Sequence, residues 1–101
     1  MLPVAAFVQD TKGRLLFLNE KAQLDWKTKA RSAIGQPIGT VIGSREIERG
    51  VTRNITDVIR SMSGQVASHL SGNPHLLTLM FPVVDSGGDV VIAGLAVMTH
   101  G

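Results

Sequence analysis

The chain has 101 residues, 44% hydrophobic and 18% charged, with a net charge of +2, no Cys and no Tyr. That is one domain's length with enough apolar content for a core; the missing Cys excludes disulfides, thiolate metal sites and thiol catalysis, and no apolar run reaches the ~18–20 residues that span a bilayer. All ten Lys and Arg lie between Lys12 and Arg60 and the last forty-one residues carry only Asp85 and Asp89, so the other six acids share the basic half and no dense basic face of the kind nucleic acid requires is formed.

No basic-then-apolar leader opens the chain; Met1-Leu2-Pro3 runs into a strand, and residues 1–101 read as a single domain excised from a larger protein. Val4 to Val8 is a short apolar run, read as a buried strand. Asp10-Thr-Lys-Gly13 is turn chemistry, because Asp bonds the backbone ahead of it and Gly supplies a positive φ. Arg14 to Leu18 completes a hairpin. Asn19 is a helix N-cap for Glu20–Lys27, which buries Ala22 and one of Leu24 or Trp26. Gly35, Pro37, Gly39 and Gly43 break the stretch 28–43 into short helical turns.

Ser44 caps a longer helix from Arg45 to about Ser63, ended by Gly64. On it Ile47, Val51, Ile55, Val58 and Met62 make one apolar face, with Arg45, Arg49, Arg53 and Arg60 opposite. Gln65–Leu70 reads as a strand and Ser71-Gly-Asn-Pro74 as a turn. His75–Val84 and Val90–Thr99 are the longest strands, joined by Asp85-Ser-Gly-Gly-Asp89. Both are apolar at nearly every position, so both faces want cover and the second face is expected to meet a helix, a neighbouring domain or another subunit.

The segment Leu2-Pro3 to Asn19, with Asp10, Gly13 and Asn19 at their spacing, the Asn19-Glu-Lys-Ala22 helix start, the Ile34-Gly35 step before Pro37-Ile38, and the closing hairpin around Phe81-Pro-Val-Val-Asp85 and Gly88 together resemble a PAS domain over nearly the whole chain. The resemblance implies an α+β fold: a five-stranded antiparallel sheet, order 2-1-5-4-3, with helices over one face. It also implies a role in ligand sensing, cofactor binding, or dimerisation and signal relay, within a cytoplasmic histidine kinase, cyclase, phosphodiesterase or transcription regulator. The family's leading helix, and the helix that follows its last strand after a D-I-T motif, have no counterpart here; the chain stops at Met98-Thr-His-Gly101.

In such a fold the pocket lies between the inner face of the sheet and the long helix. Its candidate lining is Phe7, Phe17, Ile42, Ile47, Val51, Ile55, Leu77, Leu79 and Leu95. The same side chains could simply fill a core. With few polar groups to orient a ligand, an apolar or filled interior is expected over a polar-metabolite pocket. The outward face of the last strand, Val91 or Ile92, is the candidate homodimer interface, and an output domain in the parent protein is the expected covalent partner.

Haem, which some family members hold through a His on the long helix, is not expected, because no His lies on Arg45–Ser63. His69, His75 and His100 fall on or beside strands and read as surface or hydrogen-bonded residues; His69 and His75 lack a third metal ligand nearby. Cysteinyl-flavin chemistry is excluded by the absence of Cys, and no Gly-rich phosphate loop is present, which leaves a non-covalent flavin or nucleotide open. The arginines at 45, 49 and 53 read as a solvated face. No nucleophile turn and no paired carboxylates in a cleft point to catalysis, so the chain is read as a non-enzyme.

Overall fold

The computed structural model describes residues 4–43, 45–63, 65–68 and 76–98, with the side chains of 46, 47, 65–68, 76 and 98 excepted. Its elements run β1 (Ala5–Gln9), β2 (Leu15–Leu18), α1 (Glu20–Asp25), α2 (Ala30–Ala33), α3 (Ile38–Ile42), α4 (Arg45–Ser61), β3 (Gln65–Ser68), β4 (Leu76–Val84) and β5 (Val90–Met98). The strands form one sheet in the order β2-β1-β5-β4-β3, and every neighbouring pair is antiparallel.

Two hairpins are closed by the same local chemistry. At Asp10 the side-chain Oδ1 accepts the N–H of Lys12 and of Arg14, both at 2.9 Å, and the main-chain oxygen accepts the N–H of Gly13 at 3.1 Å. At Asp85 the Oδ1 accepts the N–H of Gly87 and of Asp89, both at 2.9 Å, and the main-chain oxygen accepts the N–H of Gly88 at 3.0 Å. Gly13 and Gly88 sit at φ of 85° and 86°, the left-handed position that closes such a turn. The spacing D-x-x-G therefore writes the same loop twice.

Asn19 joins the first hairpin to α1. Its Oδ1 accepts the Ala22 N–H at 2.9 Å, capping the helix, and the Ala6 N–H at 3.0 Å. Its Nδ2 donates to the Val4 carbonyl at 3.0 Å. The free edge of β2 is covered by the segment after α2: Leu15 N–H donates to Gln36 O at 3.0 Å and Gly35 N–H to Leu15 O at 2.7 Å. An open row of backbone groups is thereby closed to stray pairing.

Helix α4 crosses the sheet on β3 and β4. It buries Val51, Asn54, Ile55 and Val58 and exposes Arg45, Arg49, Arg53 and Arg60, the amphipathic division expected. β1 runs Ala5–Gln9 rather than Val4–Val8, and two helix ends differ from expectation. α1 stops at Asp25, because Lys27 takes a positive φ of 53°, and it is Trp26 that packs on the core while Leu24 is exposed. α4 stops at Ser61, because Met62 takes a φ of 51°, which also leaves Met62 in solvent rather than on the buried stripe. The cap at Ser44, the stop at Gly64, the end of the third strand at His69 and Leu70, the turn 71–74 and His75 lie outside the described residues.

Candidate functional site

Side chains alternate across a strand, and the register assigns each residue to one of two faces. The inner face carries Ala5, Phe7 and Gln9 of β1, Leu15 and Leu18 of β2, Thr78 and Met80 of β4, and Ile92 and Ala96 of β5, all buried. Val51, Asn54, Ile55 and Val58 form the buried side of α4, which packs on β3 and β4. Phe7 spreads over Gly94, its partner across β1 and β5, and meets Trp26 with ring centroids 5.5 Å apart. The layer is apolar except for three side chains: Gln9, Asn54 and Thr78.

Gln9 is 0% exposed, and its nearest polar partner is the sulfur of Met80, which its Nε2 meets at 3.7 Å. Its Oε1 has no partner among the described residues. Asn54 is 8% exposed and its Nδ2 is likewise unpaired. Each such group forgoes ~1–3 kcal/mol of solvation if nothing meets it. The interior has few polar groups, and these two were not expected: the sequence shows Gln9 at a strand end beside a turn, where a polar residue draws no notice. The period-2 pattern Ala5, Phe7, Gln9 and the helical spacing from Val51 and to Val58 are the signals that place Gln9 and Asn54 inside.

Of the nine expected lining residues, Phe7, Val51 and Ile55 lie in this layer, and Ile42 packs against it half-buried. The side chain of Ile47 lies outside the described set. Four are corrected to the other face. Phe17 is 51% exposed, because a register shift between Val8 and Gln9 inserts Leu16 and pairs Phe17 with the outward Val8. Leu77 is 39% exposed, and Leu79 and Leu95 pair with each other on that same outer side. They are out of phase with the buried Thr78, Met80 and Ala96. Of the two interface candidates, Val91 faces outward against Val83, whereas Ile92 is 0% exposed and belongs to the core.

The outer face is thus a continuous apolar sheet. Across the strands it reads Phe17–Val8–Ala93–Phe81, then Ala6–Leu95–Leu79, then Val97–Leu77, with Val91–Val83 at the far end. The arginines of α4 are elsewhere: Arg45 and Arg49 line an open surface groove with Glu48 and Thr52. His69, His75 and His100 lie outside the described residues. Among the described residues, no helix is long and apolar enough to cross a membrane.

No protein-family model and no curated protein matches the chain. Solved structures do. The PAS domain of Bordetella pertussis BvgS superposes with a TM-score of 0.75 at 21% identity, over 98% of this chain and 79% of that one. The PAS domain of nitrogen regulation protein NR(II) from Vibrio parahaemolyticus gives 0.72 at 16% identity, over 94% and 88%. The chain has the PAS fold. A third PAS structure, the quorum-sensing receptor RpfR of Cronobacter turicensis in complex with C12:0, gives 0.73 at 15% identity over 99% and 97%. Within this fold the helix-covered inner face holds the buried amides, and the apolar outer face is open.

Proposed function

We propose that this is the sensory PAS domain of an intracellular signal-transduction protein: a histidine kinase, a cyclase or phosphodiesterase, or a transcription regulator. It binds a small, mostly apolar ligand between the inner sheet face and α4 and relays a change of conformation to an output domain. The observation that carries this reading is the composition of the inner layer. A core that served only to fold the chain would be expected to bring partners for Gln9 Oε1 and Asn54 Nδ2; here the surroundings are aliphatic and the two groups are left over. Likeness to PAS domains solved with bound molecules supports the same reading.

Relay follows from β5. Ile92 and Ala96 face the ligand layer while Val91 and Val97 face outward on the same strand, so a shift that repacks one side moves the other. A ligand biases the output only by the difference in its affinity for the two arrangements. The test is Val51→Phe, which places a ring on the buried face of α4. A ligand-dependent rise in unfolding temperature seen in the wild-type domain should vanish in the variant while its circular dichroism stays native. A folded variant with the full rise would contradict a ligand site under α4.

A second reading is favoured by the exposed Phe17, Leu77, Val83 and Val97. In it the domain is a ligand-free dimerisation and relay module, with the outer face closed by a second copy.

A further inference from the structure

The exposed and the buried polar residues of α4 behave differently. Thr52, Thr56 and Ser61 lie on the outer side, and each donates its hydroxyl to the carbonyl one turn back, at 2.9, 3.0 and 2.8 Å. Asn54, on the buried side, leaves its Nδ2 without such a bond. On β1, Gln9 keeps its Nε2 on the Met80 sulfur; the reverse orientation of the amide would set its oxygen against that sulfur, one acceptor against another. The interior therefore presents one unmatched acceptor from the sheet and one unmatched donor from the helix. Among the described residues no charged side chain is buried with them.

We propose, resting on the ligand-sensing reading above, that Gln9 and Asn54 are a recognition pair for a neutral polar head that carries both a donor and an acceptor, a primary carboxamide being the simplest. The head's N–H goes to Gln9 Oε1, and its carbonyl oxygen accepts from Asn54 Nδ2. A carboxylate satisfies Asn54 but sets a negative charge against the Gln9 oxygen, in a layer with no cation to offset its lost solvation. An ester offers an acceptor only and leaves Gln9 orphaned. A site built to hydrogen-bond a group discriminates strongly against analogues that lack it.

The test is calorimetric titration of the purified domain at neutral pH with octanamide, octanoate and methyl octanoate, which share a tail and differ in the head. Octanamide should bind tightest, by ~10-fold or more over each of the others. Gln9→Met should lower octanamide to the affinity of the ester, and Asn54→Leu should weaken octanamide and the ester alike, since both accept from Asn54. Equal affinities for all three, or a preference for octanoate, would overturn the recognition pair while leaving an apolar ligand site standing. Binding of none of the three, with the unfolding temperature unmoved, would overturn the pair and the sensing reading together. The wild-type ranking decides the matter by itself should either variant fail to fold.

Discussion

Asp10 shows how one side chain sets a hairpin. Partial burial pushes its carboxyl upward, but the N–H groups of Arg14 and Lys12 and the Arg14 guanidinium, at 2.8 Å from Oδ2, outweigh that and hold it below the ordinary carboxylate value. A carboxyl lowered on folding stabilises the native state above its unfolded value, and that contribution is lost as pH falls through the lower, folded value. Asp10→Asn keeps the turn's acceptor and removes the titration. Acid unfolding of the wild type below about pH 4 should therefore be steeper than that of the variant, which chemical denaturation at stepped pH measures; parallel curves would remove Asp10 from the account. The turn itself was legible in the D-x-x-G spacing, as was Asn19, because both act through bonds to backbone a few residues away. Gln9 was not: its burial depends on the phase of β1 against a sheet assembled from the far end of the chain.

At the scale of the element, β4 and β5 explain both what sequence pattern captured and what it missed. Their length and their turn are written in the apolar runs and in Asp85 to Gly88. Their facing is not, since Leu77, Leu79, Val91 and Ile92 are all apolar and alternation carries no information when both phases are hydrophobic. The phase is visible only in small residues, above all Gly94. On propensity alone Gly94→Ala would gain ~0.5–1 kcal/mol in a strand. The Phe7 ring, however, occupies the space a Cβ would take, and overpacking costs ~1–3 kcal/mol. The variant should lose about 1–2 kcal/mol of stability in urea denaturation; a gain would mean that Phe7 does not cover the strand. The Val51, Ile55 and Val58 stripe of α4 was readable for the opposite reason, since helical spacing of apolar residues among charged ones has a single solution. Phe17 was misplaced by the shift at Val8 and Gln9, a one-residue change that turns its face.

For the whole molecule the sheet presents two apolar faces, one covered and one open. The inner face, roofed by α4, is the proposed ligand layer; the outer face is apolar and open. Covering the outer face with a second copy would bury Phe17, Leu77, Val83 and Val97, now exposed. Val91→Glu places a charge in that patch without touching the core, and should weaken self-association by at least ~10-fold by analytical ultracentrifugation. Unchanged association would move any dimer contact elsewhere. The fold order and the helix cover were legible as a resemblance to PAS domains. The division of labour between the faces required the register, and the buried amides required both register and helix phase.

The central claim is that the inner layer holds a small molecule, and the most direct measurement is the native mass of the purified domain beside its denatured mass. The account predicts added mass in the native spectrum that leaves on denaturation, from a molecule with an apolar body and a neutral polar head. The bare polypeptide mass, in protein purified gently and then offered octanamide in excess, would contradict it and leave the outer face as the working surface of this domain.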